Sequence, residues 1–191
     1  MNKHITLIVF TGKKLSGKST ARKYLVEKYN YMHLRFADSI KDMLCEFGLT
    51  REEVDGNLKE APCAKLGGRT PVYAMQTLGT EWGRDLMYQN IWIDALNREL
   101  ECYIDKKLTR FVIDDLRFIN EKEYIDKLKE KYNVLIVRME RKGTAVGEHR
   151  SETEMDSMVV DIFIENNYKE LYRLHNILDN IINRYVTNNK E

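Results

Sequence analysis

Gly12-Lys13-Lys14-Leu15-Ser16-Gly17-Lys18-Ser19 is a complete G-x-x-x-x-G-K-[ST] sequence, the pattern of a phosphate-binding loop. Its glycines let the backbone curl until consecutive N–H groups point inward at a di- or triphosphate. Lys18 is placed to reach the outer phosphates and the Ser19 hydroxyl to hold Mg²⁺. Working outward, Ile5–Phe10 on the N-terminal side is a near-continuous apolar run, as a buried parallel strand requires. On the C-terminal side Ala21, Tyr24 and Leu25 are apolar at helical spacing, which predicts a helix over about Lys18–Tyr29. Phosphates would then lie at a helix N-terminus, where the macrodipole favours anions. Gly12, Lys13, Lys14, Ser16, Gly17, Lys18, Ser19 and Thr20 are the candidate nucleotide-binding residues. A solvated Gly/Lys/Ser turn is the competing reading, but it supplies neither the strand nor the helix.

Further along the chain, strand-like and helix-like stretches alternate. Met32–Ala37 alternates weakly and predicts a second strand. Ile40, Met43, Leu44 and Phe47 mark one helix face, with Asp38 or Ser39 as its cap. Residues 49–70 carry Gly56, Pro62, Gly67 and Gly68 with little periodicity, and read as a mobile excursion. Thr70-Pro71 opens a helix that Gly79 and Gly83 interrupt. Trp92, Ala95, Leu96, Leu100 and Tyr103 mark the next one. Arg110–Ile113 is a short strand ending in Asp114-Asp115, Asn120–Lys131 a charged helix, and Val134–Met139 a strand. Arg141–Glu154 is glycine-bearing and charged, as suits a lid. Asp161–Glu165 reads as a final strand, and Leu171 to Tyr185 as a long amphipathic helix.

Five strands interleaved with helices predict an α/β fold, a parallel sheet covered on both faces. Its length of 191 residues suits one domain with an acceptor-binding excursion at about 38–104 and a lid at about 141–154. Ligands of such sheets lie beyond the carboxyl ends of the strands, so residues just after strands are the site candidates. An acidic residue of Asp114-Asp115 is a candidate second support for Mg²⁺, and Arg117 could grip a phosphate bidentately. The alternative is a helix start, with an Asp capping and Arg117 paired with Glu121 on the surface. Arg84 could read an acceptor phosphate or stand on a helix surface, and Trp82 could stack on a base or fill the core. Arg138, Arg141, Lys142 and Arg150 cluster near glycines, as befits a lid over transferring phosphates or an ordinary solvated loop.

Composition narrows the function classes. The balance of 31 basic and 30 acidic residues, net +1, gives no electrostatic case for nucleic-acid binding. No apolar run approaches the ~18 residues a membrane span needs, and Ile5–Phe10 is too short for a signal peptide. Cys45, Cys63 and Cys102 are odd in number and widely spaced, which reads as free thiols in a reducing, cytoplasmic setting. The four histidines show no zinc-ligand pairing.

Taken together, these segments resemble the phage deoxynucleoside monophosphate kinases, within the P-loop nucleoside monophosphate kinase group. The resemblance runs through the phosphate loop, Phe36-Ala37-Asp38-Ser39-Ile40-Lys41-Asp42, and Met75-Gln76-Thr77-Leu78-Gly79-Thr80-Glu81. It continues through Asp115-Leu116-Arg117 and His149-Arg150-Ser151-Glu152 to the strand and helix beginning near Asp161. The Met-Gln-x-Leu-Gly-Thr-acid block is its most specific part. It implies a P-loop three-layer fold with a five-stranded parallel sheet, and transfer of the terminal phosphoryl group of ATP to a (deoxy)nucleoside 5′-monophosphate. Lys18 and Arg141 would then neutralise the transferring phosphoryl, and Ser19 and Asp115 would serve Mg²⁺. Lys41, Arg84 and Arg117 would face the acceptor. The implied partners are small nucleotides, with no nucleic acid or membrane, and with a homodimer left open. Two other readings also stand. One is a P-loop kinase for another phosphate-bearing acceptor such as phosphomevalonate; the other is a nucleotide-binding regulatory protein without acceptor turnover.

Overall fold

The computed structural model describes residues 4–144, 154–168 and 170–187. Within these, strands β1 (Thr6–Thr11), β2 (Met32–Leu34), β3 (Arg110–Leu116), β4 (Asn133–Glu140) and β5 (Ile162–Glu165) form one sheet in the order β2-β3-β1-β4-β5. All four pairings are parallel. The helices are α1 (Lys18–Tyr29), α2 (Asp38–Glu46), α3 (Arg51–Asp55), α4 (Pro71–Thr77), α5 (Ile91–Asp105), α6 (Ile119–Leu128) and α7 (Leu171–Ile182). The chain divides into two compact units, one made of residues 1–35 with 102–191 and the other of residues 36–101.

In the first unit every residue of β1 is buried, because parallel strands are covered on both faces. Ile8, Phe10, Val112, Leu135, Val137 and Met139 meet Ala21 and Leu25 of α1 and Leu174, Leu178, Ile181 and Ile182 of α7. The alternate residues Leu7, Val9, Phe111, Ile113 and Ile136 are equally buried, as are Ile125 and Leu128 of α6. Strand side chains alternate between faces, so this is a three-layer α/β fold. Helix α7 is clamped to α1 by Asp179, which accepts from Tyr24 Oη and Tyr29 Oη at 2.7 Å each and from Lys28 Nζ at 2.9 Å.

The chain leaves β1 toward β2 on one side, whereas β3 leads across β1 to β4 on the other. Because β4 leads on to β5 away from β1, the connections of β1 and β4 diverge, and such a switch point opens a crevice at the carboxyl end of β1. Register shifts there as well: Val9 pairs with Ile113, but Thr11 pairs with Leu116. Three steps on β3 oppose two on β1, so a bulge falls at Asp114-Asp115 and re-aims consecutive side chains.

The second unit holds its own core of Ile40, Leu44, Leu49, Val54 and Trp92. Here the sequence expectations need correction. Residues 49–70 are not irregular: α3 is followed by 3₁₀ turns at Asn57–Glu60 and Ala64–Leu66. Thr50 opens α3 with a reciprocal cap, its Oγ1 accepting from the Glu53 N–H while Glu53 Oε2 accepts from the Thr50 N–H. Helix α2 starts at Asp38 with Ala37 at the cap position and no side-chain cap bond.

Gly79 and Gly83 do not interrupt the helix, which runs on from α4 as π-helical turns over Leu78–Met87. A Cβ on Gly83 would stand 2.5 Å from the Trp92 ring, and one on Gly79 would stand 2.9 Å from Ile40 Cδ1. The glycines are there for close packing. The second strand ends at Leu34, because only Met32, His33 and Leu34 find partners on β3. Arg138 lies inside β4, not beyond it. Arg150 and the 149–152 segment, with most of the expected lid, lie outside the described residues.

Candidate active site

The phosphate loop leaves β1 at a glycine with no alternative. Gly12 has φ +132°, and a Cβ there would stand 2.1 Å from the Met139 carbonyl oxygen. Leu15 takes a positive φ of 65° in mid-loop. Gly17 closes the turn at φ 105° as the N-cap of α1, with no side-chain cap bond. The first N–H groups of this twelve-residue helix thus face the loop rather than a capping oxygen, the arrangement that binds phosphate. The Lys18 ammonium is buried and donates to the Lys13 carbonyl at 2.8 Å, to the Gly12 carbonyl and to Ser16 Oγ at 3.5 Å. Lys13 pairs with Asp156 at 3.3 Å. Lys14, Ser19 and Thr20 are exposed along the mouth of the loop and the first turn of α1.

At the β3 bulge the two aspartates have different surroundings. Asp114 accepts from His33 Nε2 at 2.6 Å and from Arg22 Nε at 3.4 Å. Burial alone would raise its carboxyl, but the His33 bond and the charges of His33, Arg22 and Arg35 outweigh this and hold it down at about 2. Asp114 therefore stays ionised in the folded protein where it would protonate in the unfolded chain. Its contribution, on the order of 2 kcal/mol, is complete above about pH 4 and lost as the pH falls toward 2. Acid unfolding of Asp114→Asn should accordingly show a shallower loss of stability than the parent across that window. Equal slopes would mean that this cluster does not hold the carboxylate down.

Asp115 is half-buried and is one of the acidic charges facing Arg117. Arg117 is half-buried rather than on the surface. Burial pulls its guanidinium below the usual arginine range, opposed by Asp115, Glu121 and Asp114. Glu121, its surface partner in the alternative reading, is only 1 % exposed. Its Oε2 accepts from the backbone N–H groups of Arg117 and Phe118, at 2.9 and 3.1 Å. Glu121 thus fixes the turn that carries Asp115 and Arg117 before α6 begins. It looks like a solvated helix acid in the sequence, and only its place three residues past Phe118 hints at a capping role.

Arg138 spends its guanidinium on the carbonyls of Met155, Asp156 and Met158, so it braces the 154–158 segment. Arg141 is exposed, with Nε donating to the Asn166 carbonyl at 3.0 Å. Gly12, Lys13, Arg138, Glu140, Arg141, Thr144, Met155 and Asp156 border one polar cleft, which brings Arg141 to the side of the phosphate loop. Among the described residues no cluster of three or more His, Cys, Asp or Glu side chains could hold a metal ion. Magnesium needs no such cluster, since it is ordinarily held by one or two protein ligands with phosphate oxygens and water. Ser19 and Asp115 are the candidates.

In the second unit, Lys41 is buried and its Nζ donates to Asp55 Oδ1 at 2.6 Å. Arg84 is buried, with Nη1 donating to the Gly79 carbonyl at 2.7 Å, an oxygen that also accepts from Trp92 Nε1 at 2.7 Å. Trp82 is partly exposed, tilted against Trp92 with ring centroids 6.4 Å apart. Trp92 is a core residue, and the exposed Tyr73 ring lies under the Arg69 guanidinium at 4.9 Å. No described helix is long and apolar enough to cross a membrane.

No protein-family model matches the chain. It covers 95% of its length, at TM-score 0.53 and 17% identity, on the crystal structure of TT1252 from Thermus thermophilus, and 98% of that chain. This is a likeness of fold. A protein of Acanthamoeba polyphaga mimivirus, provisionally named a deoxynucleotide monophosphate kinase, is 32% identical over 176 residues, 85% of this chain and 89% of its own length. With that identity over that coverage, the chain belongs to the deoxynucleotide monophosphate kinase family.

Proposed function

We propose that this protein transfers the terminal phosphoryl group of ATP to a (deoxy)nucleoside 5′-monophosphate. The observation that carries this is the phosphate loop: two glycines at positive φ, an uncapped helix N-terminus and the buried Lys18 ammonium converge on one place. An oxygen of the acceptor phosphate forms the new bond to the γ-phosphorus while the bond to the β–γ bridging oxygen breaks, leaving ADP and a nucleoside diphosphate. The acceptor needs no protein base, since a phosphomonoester with a second pKa near ~6 is already largely a dianion at neutral pH. The chain's work is positioning and charge. The backbone N–H groups of residues 12–20 hold the donor phosphates. Lys18 and Arg141 offset charge on the transferring group. Ser19 and Asp115 would hold Mg²⁺, which when bound offsets charge on the outer phosphates.

Lys41, Arg84 and Arg117 are the acceptor-side cations, and Trp82 is the ring for the base. A panel of deoxy- and ribonucleoside monophosphates, incubated with ATP and Mg²⁺, tests the reading directly. At least one should yield its diphosphate with equal ADP. ATP turnover with phosphomevalonate alone, or with no acceptor in the panel, would overturn it.

A further inference from the structure

We propose that Asn166 is a positioning residue that presets the phosphate loop and ties it to Arg141, a role that rests on the phosphotransfer reading above. Asn166 is the first residue past β5 and is only 3 % exposed. Its backbone is fixed, because its N–H donates to the Glu140 carbonyl at 2.7 Å and extends the β4–β5 ladder. From there Nδ2 donates to the Ser16 carbonyl at 2.8 Å, across 150 residues of sequence. That carbonyl is an acceptor only, so the amide nitrogen, not the oxygen, must face it.

The bond answers a problem inherent in a phosphate loop. A turn that aims its N–H groups inward must aim carbonyls outward, and a buried carbonyl needs a donor. For Ser16, Asn166 is that donor. The same amide explains Gly17, where a Cβ would stand 2.2 Å from Nδ2. The carbonyl of Asn166 accepts from Arg141 Nε at 3.0 Å, and next to it Asn167 Oδ1 accepts from the Lys142 N–H at 2.8 Å. One residue therefore fixes both the curvature that receives the donor phosphates and the root of the arginine beside them.

The test uses the full chain with Asn166→Ala and Asn166→Asp. The readouts are ATP binding by calorimetry, kcat and KM with the accepted monophosphate, and the nucleotide-free thermal midpoint. Asn166→Ala leaves the Ser16 carbonyl without its donor, and we expect roughly tenfold weaker ATP binding and a lower kcat. In Asn166→Asp an ionised carboxylate faces that carbonyl. ATP binding should fall further at pH 8 and recover toward pH 6 or below, because burial raises the carboxyl and its protonated form donates again. The nucleotide phosphates themselves titrate in this range, so the readout is the difference between the variant's pH profile and the parent's, which a purely structural asparagine would not change.

ATP affinity and kcat within about twofold of the parent in Asn166→Ala, or a parental pH profile in Asn166→Asp, would overturn the inference. If the alanine variant does not fold, the aspartate profile decides alone. Lys18→Ala separates the two levels. If it is inactive while Asn166→Ala is not, only this inference fails; if the parent itself yields no diphosphate from any monophosphate in the panel, the phosphotransfer reading fails with it.

Discussion

Lys18→Ala is expected to lower turnover by about 10³-fold or more while leaving the fold intact, the loss typical of removing a main electrostatic stabiliser. In the nucleotide-free protein the ammonium is bound by the carbonyls of Gly12 and Lys13 and by Ser16 Oγ. Those oxygens line the loop itself, so the charge stays over it without any ligand to attract it. Phosphate oxygens offer the same ammonium stronger, charged acceptors, and the side chain need not travel to meet them. Lys18 is not among the apolar residues packed between the sheet, α1 and α7, so circular dichroism should change little, while the thermal midpoint should fall modestly because the Gly12 and Lys13 carbonyls lose a donor. Steady-state kinetics should show the loss chiefly in kcat, because the backbone N–H groups still bind the donor. A folded variant that keeps most of its turnover would mean that the loop does not hold the transferring phosphoryl.

The loop was legible because its signal is local. Two glycines, a lysine and a serine at fixed spacing, after an apolar run and before Ala21 and Leu25, specify strand, turn and helix within thirty residues. The bounds of α1 follow the pattern to the residue. Where the reading failed, the cause is long-range. Gly79 and Gly83 look like breakers, yet the helix passes through them because Ile40 and Trp92 pack where side chains would otherwise stand. Tertiary contact overrides propensity there. Glu121 looks like a solvated helix acid, yet it is buried, because its carboxylate accepts from the N–H groups of the turn between β3 and α6. The bulge at Asp114-Asp115 depends on register with β1, which one strand's sequence does not carry. Asn166 is hardest of all. Its partner is Ser16, and nothing short of the β4–β5 pairing puts them together.

The second large effect belongs to Gly12. Gly12→Ala should destabilise the protein by about 3 kcal/mol or more, a midpoint fall of roughly 6–12 °C for a chain of this size. Two separate costs add. The φ of +132° is one that a residue with a Cβ rarely adopts. The new methyl would also lie 2.1 Å from the Met139 carbonyl oxygen, and retreat is costly on either side. Thr11 pairs with Arg138 in the β1–β4 ladder one step earlier, so both backbones are held by the sheet. Gly48→Ala separates the terms, since Gly48 also has a positive φ, +93°, but nothing within 4 Å of its would-be Cβ. It should cost only the backbone strain, about 1–2 kcal/mol. Similar losses in the two variants would mean that the Met139 contact relaxes.

The loop offers a further discriminator. To make room for the methyl group of Gly12→Ala, residues 12–16 must shift away from β4, which turns the N–H groups off the donor phosphates. The parent should gain about 2.7 kcal/mol of stability with ATP at a hundred times its Kd. Gly48→Ala should keep that gain, and Gly12→Ala should lose most of it. If Gly12→Ala is instead stabilised by ATP as strongly as the parent, the cradle of N–H groups does not depend on the turn that Gly12 begins.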